Sequence, residues 1–559
     1  MQRLRLAAAA VNQTPLAWEA NRDRLLAAIA AARDAEAAIL CLPELAISGY
    51  GCEDQFFSAG VQQNSLDMLG ELAPHTHGMV VCVGLPVTVG RGLHNGAAVL
   101  CDGELLGIVL KQHLAGDGLH YEPRWFRPWI AGEVEWLEIG VETVPVGDVL
   151  FEIGPIGGPT VRIGVEICRD AWVADRPGAR LAAAGADVIL CPTASHFAFA
   201  KQDVRRRIVL EGSRMFHVSY VFANLVGNEA GRAIFDGGTH IAVGGRMIAE
   251  GPRLSFAEHV LTCGDVDVGV TRRMRVAAST PSSPRDAFRG EVVRSDFLLP
   301  APESPCPASR PAVWDVPIPS KEEEFARSVA LALFDYLRKS RSHGFVLSLS
   351  GGADSASVAT LVWLMVKFGV AELGRDQFVN RLAYVRDLAS AAGDEGLVGR
   401  LLTCVYQATR NSGDVTYNAA QGVAHAVGAR FHCWSIDALV DNFVTLGEQA
   451  LGRKFTWERD DAALQNVQAR ARGPGAWLLA NLQNALLLTT SNRSEAAVGY
   501  ATMDGDTCGG LGPIAGIDKT FLRQWLRWME QTGPAGVGPL AALSAITVQA
   551  PTAELRPAG

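Results

Sequence analysis

Three ionisable residues in the first half of the chain each stand where an apolar, strand-like run ends. Glu44 follows AILCLP, Lys111 closes LLGIVLK and Cys168 closes VRIGVEIC. Hydrolysis of an amide by a thiol needs a base for the thiol proton and a positive charge for the oxyanion. The three residue types therefore predict a nucleophile, a base and a fixed cation. Each alone has a plainer interpretation, since strand-end cysteines are usually buried and inert.

A glycine turn in the second half separates an apolar run from a helical pattern, in FVLSLSGGADSASVATLV. Gly351 and Gly352 allow the backbone to approach a ligand closely, and the amides at a helix start form an anion site. Ser350 and Ser355 add hydroxyl donors. The Walker pattern would need a lysine before Ser/Thr, so we predict a phosphate-binding turn of another kind. The alternative is a structural turn in which Asp354 caps the helix.

The elements that must position the first three residues come from residues 1 to about 270, where apolar runs alternate with helical patterns. Near-continuous apolar strands are typical of sheets that are buried on both faces, so this half is predicted to be an α/β domain. The predicted strands are 37–43, 79–85, 161–168, 187–193 and 220–226, and the predicted helices are 16–34 and 201–215.

The composition changes over residues 273–319, which include STPSSPRDAF and LPAPESPCPASRPAVWDVPIP. We predict a linker there, because proline and serine this dense cannot continue a helix or a central strand. A new helix is predicted from Ser320, with acidic residues in its first turn. The alternation that follows predicts a doubly wound parallel sheet in residues 320–559. Its predicted strands are 344–349, 401–406, 429–436 and 485–490.

The first half resembles the nitrilase superfamily. The resemblance is carried by CLPELAISGY, by GIVLKQHL with YEPRWF, and by GVEICRDAW, in that order. It implies an α-β-β-α sandwich over residues 1–272. It also implies an amidase in which Cys168 attacks L-glutamine, Glu44 acts as the general base and Lys111 stabilises the oxyanion.

The glutaminase members of that superfamily suggest the substrate contacts. By this resemblance Tyr121 and Ser195 line the glutamine pocket, and Lys201 meets the substrate. The plainer interpretation of Lys201 and residues 205–207 is a solvated basic helix face, which we favour for the three arginines. Asp170, which follows the nucleophile, is expected to fix the turn.

The motif SGGxDS after a strand resembles the adenylating PP-loop ATPases, which convert ATP to AMP and pyrophosphate. LQNVQARAR, LLLTTSNRSEAAVGYATMDGDT, PIAGIDKT and PTAEL resemble the NAD synthetases over residues 320–559. This implies that Asp354 and Glu495 hold Mg²⁺ as hard oxygen ligands, and that Arg470 contacts deamido-NAD. The implied ATP contacts are Ser350, Gly351, Gly352, Asp354, Ser355, Thr490, Lys519 and Thr552.

The chain departs from the synthetase pattern in two places. Small ammonia-using synthetases carry a lysine and an aspartate for deamido-NAD where Met503 and Gly510 stand. In the resembling synthetases the stretch 546–557 also leads into an acidic loop, a helix and basic residues that close over deamido-NAD. We therefore expect a C-terminally truncated synthetase domain that is less active than the family norm, beside an intact amidase site.

A nitrilase-type amidase joined to a PP-loop ligase is typical of the glutamine-dependent NAD synthetases. The implied reaction releases ammonia from L-glutamine and amidates ATP-adenylated deamido-NAD to NAD, with AMP, pyrophosphate and glutamate as the other products. Two alternatives stay open. One is a PP-loop ligase for tRNA or another nucleotide with an acquired amidase, which a long basic stripe would support. The other is a regulatory subunit that only binds nucleotide, against which the intact motifs weigh.

The 559 residues are 48% hydrophobic and carry a net charge of −9, which argues against non-specific nucleic-acid binding. No apolar run is expected to reach the roughly 20 residues of a membrane span. The start, MQRLRLAAAAVNQTP, is predicted to be a β-strand and not a signal peptide. Eleven scattered cysteines without a metal-type CxxC pair predict reduced thiols and a cytoplasmic location. From the family resemblance we expect a homo-oligomer.

Overall fold

The apolar runs of the first half form sheets in the computed structural model, which describes residues 2–140, 142–278, 288–316, 319–549 and 554–556. The chain separates into two units, Met1–Ile318 and Pro319–Gly559. The division falls at the end of the segment predicted as a linker.

The strands of the first unit are β1 Arg3–Val11, β2 Ile39–Cys41, β3 Val80–Val89, β4 Gly92–Cys101, β5 Glu104–Leu110, β6 Val134–Ile139, β7 Glu142–Gly147, β8 Val149–Ile153, β9 Val161–Val165, β10 Val188–Thr193, β11 Ser219–Asn224, β12 Val226–Asn228, β13 Ile234–Asp236, β14 His240–Val243, β15 Arg246–Glu250, β16 His259–Asp267 and β17 Glu291–Ser295. Its α-helices are α1 Trp18–Asp34, α2 Ala59–Leu72, α3 Glu122–Trp125, α4 Pro177–Ala183, α5 Lys201–Phe216 and α6 Val268–Ala277.

Two stacked sheets form the middle of the first unit. Eight strands run in the order β16-β1-β2-β3-β4-β5-β7-β6, and seven in the order β15-β14-β11-β10-β9-β8-β17. Along β1, Leu4 and Leu6 pack between the sheets, whereas Ala7 and Ala9 pack against α1 and α2, as the alternation of side chains in a strand requires. The helices α4 and α5 cover the outer face of the second sheet. The predicted α-β-β-α sandwich is confirmed.

Part of the segment predicted as a linker, 273–319, is built into the first unit. The helix α6 extends into it, and β17 pairs in parallel with β8 at the edge of the second sheet. The Arg5 guanidinium also donates to the Ser304 carbonyl at 2.6 Å. Proline keeps most of the segment out of regular strands, but the proline-free stretch EVVRS at 291–295 can take an edge position.

The helices of the second unit are α7 Lys321–Lys339, α8 Ala353–Leu373, α9 Arg375–Arg381, α10 Gly393–Leu401, α11 Asp414–Val427, α12 Asp437–Leu451, α13 Trp457–Gln483, α14 Arg493–Val498, α15 Lys519–Gln531 and α16 Ser544–Thr547. Its strands are β18 Phe345–Ser348, β19 Leu402–Ala408, β20 Arg430–Ser435 and β21 Leu486–Leu488.

These four strands form one parallel sheet in the order β20-β19-β18-β21. The strand order reverses at β18, and ligands of doubly wound sheets bind at such a switch point. The helix α7 begins where predicted, because the Ser320 hydroxyl accepts the Glu323 amide at 3.2 Å. The predicted doubly wound parallel sheet is confirmed, and the SGGADS turn follows its switch-point strand.

One helix in the described part of the chain, α8, has the length and composition of a membrane span, with a mean hydropathy of 1.6. The expectation that no apolar run approaches that length is therefore wrong for α8. Within the fold, 72% of its most apolar window is buried, and the helix packs against α7 and β18. Its apolar side chains thus belong to the core of the second unit.

Candidate active sites

The first cluster of ionisable side chains lies at strand ends in the first unit. Lys111 Nζ donates to Glu44 Oε1 at 2.5 Å and to Glu122 Oε1 at 2.8 Å. Glu44 also accepts Asn95 Nδ2 and the Ala194 amide, both at 2.8 Å. The side chains of the lysine and both glutamates are at most 1% exposed, so water screens their charges little. The structure thus brings the predicted base and cation together and adds a second carboxylate.

Cys168 lies in the turn after β9, at the start of a short 3-10 helix. Its φ is +47°, a left-handed conformation that is uncommon outside glycine and clusters at functional sites. The Asp170 carboxylate holds this turn by accepting the Ile167 amide at 3.0 Å. It also accepts the amides of Gln112 and His113, at 3.2 and 2.8 Å. Because these two residues follow the predicted cation, Asp170 joins the nucleophile turn to the end of β5.

Burial and neighbouring charges set the protonation states of this cluster. Burial raises the pKa of the Cys168 thiol well above its usual value, and Glu44 raises it further. Burial also raises the pKa of Glu44, against the effect of Lys111. Burial alone would lower the pKa of Lys111, but Glu122 and Glu44 raise it well above its usual value. The resting site therefore holds a thiol and an ammonium, and attack by sulfur requires a base.

The three residues that were expected to bind glutamine differ in their placement. Ser195 is buried and directly follows the amide that donates to Glu44. Lys201 is near enough to Cys168 for their charges to interact. Tyr121, however, is 49% exposed, and its ring centroid lies 5.6 Å from the Arg232 guanidinium. The glutamine contact expected of Tyr121 therefore stays a prediction, while the side chain of its neighbour His120 is buried beside the cluster.

The interpretation of residues 205–207 as a solvated basic face is wrong for Arg205. This residue is fully buried, donates to both Asp236 oxygens at 2.7 Å and donates to Ser195 Oγ at 3.1 Å. Arg207 fits the interpretation, since its side chain is 67% exposed and pairs with Asp203 one turn earlier. Helical spacing explains the difference, because the buried stripe of α5 consists of positions 202, 205, 209, 212 and 213.

Sequence reasoning missed four polar residues beside the first cluster. Tyr50 Oη donates to Glu122 Oε1 at 2.7 Å and lies 2.8 Å from His120 Nδ1. His120 Nε2 in turn lies 2.8 Å from His196 Nδ1. A signal was present for two of them, because Tyr50 ends CLPELAISGY and Glu122 stands in YEPRWF. Apolar periodicity carries no such information about the orientation of loop side chains.

The second cluster surrounds the turn between β18 and α8. Gly351 has a φ of +81°, and a Cβ at this position would overlap the Thr416 carbonyl oxygen, so the turn requires glycine. Ser355 Oγ lies 3.1 Å from Ser350 Oγ and accepts the Ser350 amide at 3.2 Å. Gly352 is the N-cap residue of α8, whose first-turn amides favour an anion.

Two carboxylates and a lysine stand beside this turn. Asp354 accepts Lys519 Nζ, and it accepts Asn492 Nδ2 at 3.1 Å. Lys519 Nζ also lies 3.5 Å from Glu495 Oε1. Burial raises the pKa of Glu495, and the neighbouring Asp354 adds to this effect. The two acids thus converge on one cation.

A cavity of about 830 Å³ lies over this cluster, which is within the range of small-molecule sites. Its lining includes the predicted turn residues, both carboxylates, Thr490 and Lys519. Thr552, which was also expected to contact ATP, lies outside the described residues. The residues predicted to bind ATP and Mg²⁺ that lie in the described part of the chain therefore line one cavity.

Comparison with known proteins assigns both units. Residues 5–275 match the carbon-nitrogen hydrolase family, and residues 325–559 match the NAD synthase family. The chain is 30% identical to the glutamine-dependent NAD(+) synthetase of Homo sapiens, over 100% of this chain and 81% of that protein. It is 29% identical to that of Saccharomyces cerevisiae, over 99% of this chain and 81% of that protein.

A solved structure gives the same assignment. The glutamine-dependent NAD(+) synthetase from Cytophaga hutchinsonii is 39% identical and superposes with a TM-score of 0.80, covering 95% of this chain and 82% of that one. This chain belongs to the glutamine-dependent NAD(+) synthetases. It is therefore an enzyme of the carbon–nitrogen ligase class, a glutamine-hydrolysing NAD synthase with an amidase unit and a synthetase unit. A synthetase from Acinetobacter baumannii, 21% identical with a TM-score of 0.73 over 99% of this chain and 86% of that one, shares the fold.

Two arginines of α13 are placed differently in the NAD synthetase unit, and the deamido-NAD contact expected of Arg470 stays a prediction. Arg470 was expected to contact deamido-NAD, but its side chain is exposed and its Nε donates to the Met503 carbonyl at 3.0 Å. Arg472 lines the cavity instead. Residues two apart on a helix point about 200° apart around its axis, so only one of these arginines can face the cavity.

The two departures from the pattern of small synthetases lie close to this cavity without facing it. Met503 is 68% exposed, and neither it nor Gly510 belongs to the lining. Asp506, three residues after Met503, does line the cavity.

Proposed function

We propose that the first unit of this NAD synthetase hydrolyses L-glutamine at Cys168 and that the second unit uses the ammonia to amidate ATP-adenylated deamido-NAD at the SGGADS cavity. One observation carries the proposal. One chain contains two sites. The first is a buried cluster of a thiol, two carboxylates and an ammonium, and the second is a cavity over a glycine turn of the phosphate-binding kind, lined by two acids and a lysine.

The residue roles in the first half-reaction follow from the protonation states. As sulfur attacks the amide carbon, Glu44 takes the thiol proton of Cys168, a task for which its raised pKa suits it. The Lys111 ammonium stabilises the oxyanion that forms. Glu44 then gives the proton to the leaving nitrogen, the carbon–nitrogen bond breaks, and ammonia leaves a glutamyl thioester behind.

The second half-reaction uses the same base. Glu44 takes a proton from water, whose oxygen attacks the thioester carbon. The carbon–sulfur bond breaks, the proton returns to the Cys168 sulfur, and glutamate is released. Throughout, Glu122 accepts a hydrogen bond from Lys111 and keeps the ammonium in place beside the base.

In the second unit we propose two displacements. The nicotinate carboxylate of deamido-NAD attacks the α-phosphate of ATP, and pyrophosphate leaves into the amides of the turn at Gly351 and Gly352. Lys519 supplies positive charge against the phosphates. Ammonia then attacks the carbonyl carbon of the adenylate, and AMP leaves as NAD forms.

We also propose Mg²⁺ as the cofactor of this unit. The residues fit it, because Asp354 and Glu495 already converge on one cation, the Lys519 ammonium, and Mg²⁺ usually takes one or two carboxylates with phosphates completing its shell. No group of three or more metal-binding side chains occurs among the described residues, so nucleotide phosphates would supply the rest. When bound, the ion would neutralise phosphate charge.

A paired assay tests the proposal. Wild-type chain should form NAD from deamido-NAD and ATP with either glutamine or ammonium. Cys168→Ala should lose only the glutamine-dependent reaction, and Asp354→Asn should lose both while still hydrolysing glutamine. Loss of ammonium-dependent synthesis in folded Cys168→Ala would contradict two separate centres. If the chain releases AMP from ATP with another carboxylic-acid substrate but not with deamido-NAD, it is a ligase of different specificity.

The proposal extends to assembly and location. We propose a homo-oligomer, supported by α12, which has no buried residue in the described fold and exposes Leu439, Phe443 and Leu446 on one stripe. Light scattering at micromolar concentration should give a mass above 59.6 kDa. We propose a cytoplasmic location because all eleven cysteines are free thiols, and fractionation of cells that produce the chain would test it.

A further inference from the structure

A line of polar side chains leads from Lys201 to Glu122. Its middle members, His196, His120 and Tyr50, have no role in the proposed glutamine hydrolysis. Lys201 Nζ lies 3.4 Å from both ring nitrogens of His196. From there the contacts pass through His120 to Tyr50 and reach Glu122, with each step at 2.7 or 2.8 Å. The two ends of the line are thus an expected substrate contact and a partner of the catalytic lysine.

Glu122, the acceptor at one end of the line, determines which atoms of Tyr50 and His120 donate. Glu122 accepts Lys111 Nζ and the Ala115 amide in addition to the Tyr50 hydroxyl. Tyr50 has a single hydroxyl proton, which it gives to Glu122. The His120 Nδ1 that lies against the Tyr50 oxygen must therefore carry a proton and donate it.

The other end agrees with this direction. The Lys201 ammonium has donors only, so His196 Nε2, the ring nitrogen that does not contact His120, must accept. His196 Nδ1 then carries the proton and donates to His120 Nε2. Every bond in the line points towards Glu122, and both imidazoles are neutral Nδ1–H tautomers. The reverse direction would bring an N–H of His196 against the ammonium.

The surroundings keep both rings neutral. Burial lowers the pKa of His120 and that of His196 to about 4, and Lys201 adds to the effect at both rings. A proton on His120 Nε2 would face the Nδ1–H of His196, so acidification must break the line. The charged groups that face the pair from the neighbouring elements are Glu122, Lys111, Asp117, Lys201, Arg205 and Asp236.

We propose that His120 and His196 are positioning residues for glutamine hydrolysis, forming a one-way hydrogen-bond relay that holds Tyr50 on Glu122 and thereby keeps the Lys111 ammonium against Glu44. The relay rests on the proposed glutaminase function of the first unit. It also connects Lys201, the expected substrate contact, to the catalytic Lys111. The positions of both lysines therefore depend on the same two neutral rings.

Two substitutions at one position separate a relay from a space-filling role. In His120→Gln the amide nitrogen can donate to Tyr50 and the amide oxygen can accept from His196, but the side chain cannot titrate. In His120→Phe the ring shape is kept and both hydrogen bonds are lost. His259→Gln is the matched control, because His259 is a half-buried histidine on β16 whose pKa is likewise lowered by burial.

The experiment measures kcat and KM for glutamine hydrolysis by the full chain between pH 4 and 9, with circular dichroism and the thermal midpoint of each variant as the check on folding. We expect His120→Phe to lose about 10- to 100-fold in kcat, as misplaced catalytic groups do. We expect His120→Gln and His259→Gln to stay within a few-fold of wild type at pH 7.5. His120→Gln should also lose activity less steeply than wild type as the pH falls below 5, towards the pKa of His120 of about 4.

Other outcomes overturn the relay. If His120→Phe keeps its kcat, the ring only fills space. If His120→Gln loses as much as His120→Phe, hydrogen bonds at this position do not restore activity and the relay is wrong. In chain labelled with ¹⁵N-histidine, the signals that disappear in His120→Gln should belong to a neutral Nδ1–H tautomer, and an Nε2–H tautomer would contradict the assigned direction. If the wild type itself hydrolyses no glutamine, the failure lies with the proposed function.

Discussion

The Asp170 carboxylate accepts the backbone amide of His113 at 2.8 Å, and this bond joins the turn of the nucleophile to the end of β5. Asp170 is buried and offers both oxygens to backbone donors. The geometry between Cys168 and Lys111 therefore depends on a carboxylate that contacts neither the thiol nor the ammonium.

We predict that Asp170→Asn lowers kcat for glutamine hydrolysis by about 100-fold, the order of loss that a misplacement of 1 Å can cause. In the variant an amide NH₂ replaces one acceptor and faces a backbone N–H, which costs about 1–3 kcal/mol. Ammonium-dependent NAD formation should be unchanged. Asp203→Asn, at an exposed carboxylate that pairs with Arg207, is the control. If Asp170→Asn hydrolyses glutamine at the wild-type rate, the hydrogen bonds of the Asp170 carboxylate to the backbone are dispensable.

The buried histidines of the first unit predict how its stability depends on pH. Burial lowers the pKa of His120 and His196 to about 4 and that of His240 to about 3, against about 6.5 in an unfolded chain. Between these values the unfolded state binds more protons, so stability is full above pH 6.5 and falls as the pH drops towards 4.

We expect protonation of these three rings to lower the unfolding free energy by about 3 kcal/mol or more between pH 7 and pH 4.5, since each pKa unit corresponds to about 1.4 kcal/mol. Burial of Asp170, which raises the pKa of that carboxyl to about 7, acts in the opposite direction. The measurement is the midpoint of thermal loss of glutaminase activity after incubation at each pH. In His120→Gln, whose side chain cannot titrate, the thermal midpoint should depend less steeply on pH than in the wild type. If the midpoints of wild type and His120→Gln shift by the same amount between pH 7 and pH 4.5, a neutral buried ring at His120 is contradicted.

The strand ends of the first unit could be predicted from the sequence because near-continuous apolar runs fix where a buried strand stops. Glu44, Lys111 and Cys168 each follow such a run. The first two residues follow strands of the eight-stranded sheet and the third follows a strand of the seven-stranded sheet, so the stacking of the two sheets brings them together. The SGGADS turn was predictable for another reason, since two glycines between an apolar run and a helix start allow the left-handed, close-approaching backbone of an anion-binding turn.

The orientation of side chains in loops and irregular helices could not be predicted. Tyr121 and His120 precede the four-residue helix α3, where no repeating pattern tells which of them faces inward. The long helix α13 contains Pro474 and a non-helical residue, Asp460, so its apolar phase does not identify Arg472 as the inward arginine. In both cases tertiary contacts, which the local pattern does not encode, decide which of the two side chains faces inward.

Removal of the metal provides a prediction for the second unit. A chelator that binds Mg²⁺ should stop NAD formation with glutamine and with ammonium, because Asp354 and Glu495 are expected to share the ion with nucleotide phosphates. Basal glutamine hydrolysis should persist, since the first cluster uses Lys111 as its cation. Added Mg²⁺ should restore synthesis. If synthesis continues at full rate in chelator, the metal proposal is wrong.

The two glycines of the turn should differ in their tolerance of a methyl group. Gly351 has a φ of +81° and faces the Thr416 carbonyl, whereas an added Cβ at Gly352 would meet only Ser350 Oγ, at 3.4 Å. A left-handed conformation costs alanine about 1–2 kcal/mol before any clash. We therefore expect Gly351→Ala to lower the thermal midpoint of the second unit by several degrees more than Gly352→Ala. Equal midpoints would mean that the turn can rearrange.

The last prediction compares two arginines on α13. Arg472 lines the cavity and its guanidinium lies near Asp506, whereas Arg470 is engaged at the surface with the Met503 carbonyl. A hydrogen bond to a charged group contributes about 1.5–3 kcal/mol, which corresponds to roughly 10- to 100-fold in affinity. Arg472→Ala should therefore raise the KM for deamido-NAD by about that factor in the ammonium-dependent reaction. Arg470→Ala should stay within about twofold, and glutamine hydrolysis without nucleotide should be equal in both variants. If Arg470→Ala raises this KM as much as Arg472→Ala does, the assignment taken from the family motif stands and the cavity-facing arginine does not discriminate the substrate.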